Sequence, residues 1–371
     1  MDKIKVMSIF GTRPEAIKMG PLVLELKKYP EKIESIVVVT AQHREMLDQV
    51  LAIFEIIPDY DLDLMKMDQS LTNVTTDGLL GLEKILEMVK PDLVLVHGDT
   101  TTTFVASLAA FYQQVPVGHV EAGLRTGKKY APYPEEVNRQ LTGILADLHF
   151  APTTSAANNL HKEGRKDHVY ITGNTIVDAL PFTMNVDCEH PILEKISQVR
   201  YILLTAHRRE NLGEPLKRIF DAVKQILLQH PDLHVVYPVH PNPKVRELAY
   251  KEFGEHPRIH LIKPLDVSDF HYIISKATLI LTDSGGIQEE APSFGVPVVV
   301  LRQSTERPEG VEAGILRLVG TEVHAIVSEV NNLLSSKIAN KQMVQVTNPY
   351  GDGLASYRIV EQILRYFDKL D

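Results

Sequence analysis

Short, continuous apolar runs recur along the chain: Val6 to Phe10, Ile36 to Thr40, Leu93 to Val96, Val115 to Val120, Val169 to Thr172, Ile202 to Thr205, Leu233 to Tyr237, Leu279 to Thr282 and Val296 to Leu301. A strand covered on both faces has no polar face to alternate with, so such runs predict buried parallel strands. Between them lie stretches of helical period, around Ile17 to Leu26, at Leu79, Leu82, Ile85 and Leu86, and at Ile219, Val223, Ile226 and Leu227. Strand and helix alternate throughout, which predicts an α/β protein of doubly wound sheets. So many strands exceed what one compact sheet usually carries. The chain therefore divides near Thr172-Gly173-Asn174 into two Rossmann-like domains, 1–172 and 173–355, facing across a cleft. In such sheets ligands sit outside the carboxyl ends of the strands, so the residues just after each strand carry the functional question.

Composition narrows the classes. A length of 371 residues allows two or three domains, and 44% hydrophobic with 23% charged residues is the balance of a folded globular chain, which sets aside disorder. A formal charge of -9 gives no electrostatic reason to approach nucleic acid or an anionic membrane, so any anion must be held by local groups. Cys188 is the only cysteine, which excludes an intrachain disulfide and a thiolate cluster. The longest apolar stretch, Phe104 to Tyr112, is about half of the roughly 18 residues a spanning helix needs. The run Val6 to Phe10 is too brief for a signal-peptide core, so a cytoplasmic protein is expected. The histidines form no His-x-x-x-His helix pair, and no metal site is expected.

Two strand ends look built for anions. The first strand runs into Gly11-Thr12-Arg13-Pro14-Glu15-Ala16-Ile17-Lys18, where free helix amides, Arg13 and Lys18 combine. Later, Leu281-Thr282 leads into Asp283-Ser284-Gly285-Gly286, whose glycines permit close backbone approach to a diphosphate, with Glu290 a helical turn on, placed for ribose hydroxyls. Neither is a Gly-x-Gly-x-x-Gly fingerprint, so a redox dinucleotide loses support, and no cofactor is expected. Gly123-Leu124-Arg125-Thr126-Gly127-Lys128-Lys129 is one residue short of a phosphate loop and has Lys where Ser or Thr must hold magnesium, which rejects an ATPase.

Carboxylates follow the strands of the first half. Asp99 is equally a helix cap or a catalytic group, whereas Glu121 at a buried strand end has no capping task and points to acid–base work. Glu135 opens a helix, where the dipole alone favours an acid. In the second half His207 ends a strand beside Arg208 and Arg209, a poor core position and a good partner for phosphate or a leaving oxygen. Asp59, Asp61 and Asp63 alternate with Tyr60, Leu62 and Leu64 and read as the solvated face of an exposed strand.

Gly11-Thr12-Arg13-Pro14-Glu15, His97-Gly98-Asp99-Thr100, Val120-Glu121-Ala122-Gly123-Leu124-Arg125, Pro134-Glu135-Glu136-x-Asn138-Arg139, His207-Arg208-Arg209-Glu210-Asn211, Asp283-Ser284-Gly285-Gly286-x-Gln288-Glu289-Glu290 and Asn348-Pro349-Tyr350-Gly351-Asp352-Gly353 together resemble the non-hydrolysing UDP-N-acetylglucosamine 2-epimerases. The motifs span the chain in order. The resemblance implies the two-domain glycosyltransferase-B architecture, a last segment 356–371 whose helix returns to the first domain, a homodimer, and interconversion of UDP-GlcNAc with UDP-ManNAc for cell-surface polysaccharide. It puts the acid–base set on Asp99, Glu121 and Glu135, with His207 beside the diphosphate. Nucleotide contacts fall on Arg13, Lys18, His207, Ser284, Gly285, Gly286, Glu290 and Arg307, with Leu265 and Phe270 near the uracil. Bacterial relatives bind a second UDP-GlcNAc as activator; Gln42, Glu135, Arg208 and His240 match its contacts, while Glu45 and Asp68 stand where an amide and a cation are common. Rival readings are a hydrolysing epimerase that releases ManNAc and UDP, and a sugar transferase of the same fold.

Overall fold

A computed structural model describes residues 3–41, 44–65, 69–184, 190–336, 343 and 348–368. Gln42, Asp68 and Cys188 lie outside the described residues, as does the side chain of Glu45. The chain forms two compact units, Met1–Phe182 with Tyr350–Asp371, and Thr183–Pro349. Each is a parallel sheet wrapped by helices.

In the first unit the strands are β1 (Ile4–Phe10), β2 (Ile33–Val39), β3 (Tyr60–Asp61), β4 (Leu93–His97), β5 (Val117–Val120), β6 (Leu148–Ala151) and β7 (Val169–Ile171), in the spatial order β3-β2-β1-β4-β5-β6-β7. In the second they are β8 (Arg200–Thr205), β9 (Leu233–Pro238), β10 (Ile259–Ile262), β11 (Leu279–Thr282), β12 (Val298–Val300) and β13 (Leu316–Leu318), in the order β10-β9-β8-β11-β12-β13. Strand order reverses between β1 and β4, and again between β8 and β11. At such a switch point the flanking helices diverge to opposite faces and leave a crevice at the strands' carboxyl ends. Gly11, Gly98-Asp99, Ala206-His207 and Asp283-Ser284 are therefore the residues each sheet offers to a ligand.

The central strands are apolar because both faces are covered. Met7, Ile9, Val94 and Val96 pack with Leu82, Ile85, Val105 and Ala109 from the helices, while in the second unit Phe220, Tyr237 and Phe253 sit among the aliphatic residues of β8, β9 and β11. Thr12 and Glu15 form a capping box at the start of helix Arg13–Leu26, and Pro14 fills the first turn, where its missing amide costs nothing.

The division falls at the end of helix Thr175–Thr183, between Phe182 and Thr183, later than the Thr172–Gly173 split expected from the sequence, and the chain returns at Tyr350 rather than 356. Asp178 gives the physical reason: its carboxylate accepts from the amides of Ala355 at 3.1 Å and Ser356 at 2.6 Å, capping the last helix, Ala355–Tyr366. That helix packs on Arg13–Leu26. Among the described residues no helix is long and apolar enough to cross a membrane.

Candidate active site

The turns after β4 and β5 are bonded to each other. The Gly98 amide donates to the Val120 carbonyl at 2.9 Å, and Gly98 takes φ +68°, with Glu121 Oε1 3.6 Å from where a Cβ would stand. Glu121 itself adopts φ +62°, a left-handed conformation that disfavours a branched or bulky residue and is held here by its partners. The Lys18 ammonium donates to Glu121 Oε2 and forms an ion pair with it, and the Asn174 amide donates to the same oxygen at 2.8 Å. His97 Nε2 lies 3.8 Å from that oxygen. Burial pushes His97 down to about 4, so its ring is neutral beside the ion pair.

Asp99 is freed from capping. Thr100 is the N-cap of helix Thr101–Tyr112, its hydroxyl accepting from the Thr103 amide at 3.1 Å. The Asp99 carboxylate instead pairs with the Arg139 guanidinium, and Asn138 donates to the Asp99 carbonyl at 3.0 Å. Burial pushes the Asp99 carboxyl above the usual range; Arg139 opposes that and the Glu121 charge adds to it. With its side chain 26% exposed, Asp99 is reachable. Glu135 begins the helix that carries Asn138 and Arg139, Glu135–Leu145, half-buried and with no side-chain hydrogen-bond partner among the described residues. Its neighbour Glu136 is fully buried and accepts from the amides of Thr126 and Gly127. The amides a phosphate loop would offer are thus occupied by a carboxylate.

In the second unit Asp283 organises the turns. Fully buried, it accepts from the His207 amide at 2.9 Å, the Arg208 amide at 2.9 Å and the Asn211 side chain at 3.0 Å. The His207 ring stacks on His240, centroids 4.8 Å apart and planes within 9°. Burial lowers the pKa of both rings, so His207 is a neutral hydrogen-bonding group rather than a fixed cation. Ser284 precedes helix Gly285–Glu290. The first glycine serves a side chain: a Cβ at Gly285 would stand 2.6 Å from an Arg307 guanidinium nitrogen. Arg307 is gripped by Glu289 at 2.6 Å and Glu306 at 2.7 Å. Burial opposes the charge on Glu306, yet Arg307 and Arg302 draw it down to about 2, so this cluster stays ionised. Glu290 meets His271 Nε2 at 3.1 Å. Leu265 is buried, and Phe270 is half-buried in helix Val267–Lys276.

Arg13, Lys18, Asp99, Glu121 and Glu135 thus belong to turns and helix starts of the first unit, and His207, Arg208, His240, Leu265, Phe270, Ser284, Gly285, Gly286, Glu290 and Arg307 to the second. Two of the acid–base candidates are paired with cations, Glu121 with Lys18, which the resemblance gave to the nucleotide, and Asp99 with Arg139. Arg139, Asn174 and Asp283 were not singled out as site residues, although each lies in or beside a quoted motif. Among the described residues no group of three side chains could hold a metal ion.

Residues 25–364 match the family model described as UDP-N-acetylglucosamine 2-epimerase. A UDP-N-acetylglucosamine 2-epimerase of Bacillus subtilis is 60% identical over 368 residues, covering 99% of this chain and 97% of its own. The solved structure of S. aureus MnaA with UDP superposes with a TM-score of 0.91 at 55% identity, over 99% of this chain and 98% of that one. The UDP-GlcNAc 2-epimerase of Neisseria meningitidis, solved bound to UDP-GlcNAc, superposes at 0.90 with 50% identity, over 98% and 100%.

Proposed function

This chain belongs to the UDP-N-acetylglucosamine 2-epimerase family, and we propose that it interconverts UDP-GlcNAc and UDP-ManNAc without net hydrolysis, eliminating UDP to a 2-acetamidoglucal and adding it back. The C2 hydrogen is not beside a carbonyl, so direct deprotonation is too slow to consider. Breaking the C1–O bond with, or before, loss of the C2 proton removes that barrier. The electron pair of C1–O leaves on UDP, the proton goes to a carboxylate, and C1=C2 forms. Return of UDP oxygen to C1 and of a proton to the opposite face of C2 completes the inversion.

The observation that carries this reading is the pairing of Asp99, raised by burial, with Glu121, held by Lys18, on adjoining turns. Proton abstraction and return on opposite faces need two carboxyl groups, and these two stand in unlike surroundings, one beside Arg139 and the other beside Lys18. Glu135 completes the set. UDP departs as an anion, which the groups of the second unit suit: Ser284, Gly285 and Gly286 for the diphosphate, Glu290 for the ribose, Leu265 and Phe270 for the uracil, with Arg13, Lys18 and Arg307 adding positive charge and His207 donating to the leaving oxygen. The relatives solved with UDP and with UDP-GlcNAc support that ligand class. The chain needs no cofactor for this route. We assign it to a homodimer in the cytoplasm, with Gln42, Glu135, Arg208 and His240 contacting an activating UDP-GlcNAc.

Proton NMR of UDP-GlcNAc with the enzyme alone in deuterium oxide tests the proposal. UDP-ManNAc should form and both epimers should carry deuterium at C2. Free ManNAc with UDP would identify a hydrolysing enzyme, a requirement for an acceptor a transferase, and retained C2 hydrogen would overturn the glycal route.

A further inference from the structure

Glu15 lies outside the acid–base set, yet its carboxyl is 2% exposed and divides its partners between two turns. One oxygen, Oε2, accepts from the Gly11 amide at 3.1 Å, the Thr12 amide at 2.8 Å and the Thr12 hydroxyl at 2.7 Å, all after β1. The other, Oε1, accepts from the hydroxyls of Thr100 at 2.7 Å and Thr103 at 3.1 Å, both after β4. A capping box accounts for the first group only, because there the N3 acid reaches back to its own N-cap. The bonds to Thr100 and Thr103 give helix Arg13–Leu26 no cap. They tie it to the turn in which Asp99 immediately precedes Thr100. Gly11 is also tightly enclosed: a Cβ there would lie 2.9 Å from Oγ1 of Thr102, in the helix that Thr100 caps, and 1.9 Å from Oγ1 of Thr40 after β2. Lys18, one helical turn beyond Glu15, pairs with Glu121. One helix therefore holds the Asp99 turn with a carboxylate and the Glu121 carboxylate with an ammonium.

We propose that Glu15 is a positioning residue for epimerisation, setting the Asp99 turn through Thr100 and so fixing the spacing between Asp99 and the Lys18–Glu121 pair. The inference rests on the reading of Asp99 and Glu121 as acid–base groups. Proton transfer works only within hydrogen-bond reach, and a displacement of about 1 Å can cost roughly 100-fold in rate. A carboxylate joined to two turns by short bonds removes that freedom.

A double-mutant cycle tests the link. Glu15→Gln, Thr100→Val and the double variant are compared with the wild type for turnover of UDP-GlcNAc, for UDP affinity by calorimetry and for melting temperature. Each single change should lower kcat by about 10-fold or more, and the double variant should be no slower than the slower single, because both cut one connection. UDP affinity of Thr100→Val should be unchanged, and Thr100→Ser, which keeps the hydroxyl, should restore turnover. Losses that multiply in the double variant, or wild-type turnover by Thr100→Val, overturn the proposal. Thr100→Val also removes the N-cap of helix Thr101–Tyr112, so if Glu15→Gln does not fold, Glu15→Asp, which keeps the charge and shortens the reach to Thr100, replaces it in the cycle. A wild type that makes no UDP-ManNAc overturns the functional reading and this inference with it.

Discussion

Asp99 and Glu121 differ in what surrounds them more than in what they are. Burial raises the Asp99 carboxyl against the pull of Arg139, while Glu121 is clasped by an ammonium and an amide. If these groups move the C2 proton, Asp99→Asn, Glu121→Gln and Glu135→Gln should each cost at least about 100-fold in turnover, since acid–base groups commonly contribute that much. UDP affinity, read by calorimetry, should hold in all three; a parallel loss of affinity would make them structural. Arg13→Ala and Ser284→Ala should do the reverse, weakening UDP binding because each removes a proposed phosphate donor. Unchanged affinity in both would misplace the diphosphate. At this scale the sequence exposed the residues just after strands but not their partners. Asp99 reads equally as cap or catalyst from sequence, and in the structure the cap is Thr100. Asn174 lies 53 residues from Glu121 and reaches it only because β5, β6 and β7 are neighbours, a fact of strand order that no local pattern carries.

Strands buried on both faces were the most legible. β4, β8 and β11 stand where continuous apolar runs predicted them, the edge strand β7 was predicted too, and β3 falls in the stretch read as an exposed strand, whereas β6, which carries His149, and the outermost β10 and β13 were not foreseen. An edge strand is only half covered, so its residues need not be apolar. The unexpected polar strand has a thermodynamic consequence. His149 on β6 pairs in register with His119 on β5, and His97 ends β4, so three buried imidazoles lie on consecutive strands. Burial lowers His97 and His149 to about 4 and His119 to about 3. Unfolding releases each to an ordinary value near 6.5, where it binds a proton the folded form refuses. Stability is therefore full above about pH 6.5 and falls as pH drops toward the folded values, by roughly 3 kcal/mol for a group shifted from 6.5 to 4. Melting temperature should decline steeply from pH 6.5 to 4.5, and His149→Phe should flatten the decline. An equal slope in that variant would show that carboxylates elsewhere, not this row, control acid stability.

At the scale of the molecule the remaining issue is regulation. The proposed activator contacts Arg208 and His240 are built into the frame of the nucleotide seat. Asp283 takes the amides of both His207 and Arg208, and His240 stacks on His207. A ligand that orders Arg208 and His240 would order His207 too, which gives activation a physical route through shared partners. Against this stand the acids Glu45 and Asp68, at positions that the resemblance sets beside the activator. Each acid near a diphosphate costs about 1 kcal/mol or more at an effective dielectric near 20, so the second UDP-GlcNAc should bind more weakly here than the family pattern implies. Progress curves from purified UDP-ManNAc, with and without added UDP-GlcNAc, measure it. We expect at most a shallow lag, shortened only by high activator concentrations, and Glu45→Gln should deepen the response by removing one repulsive charge. A pronounced lag abolished by micromolar UDP-GlcNAc in the wild type would show that the replaced contacts are dispensable, and an unaltered response in Glu45→Gln would show that the acid at position 45 does not face the activator's charge.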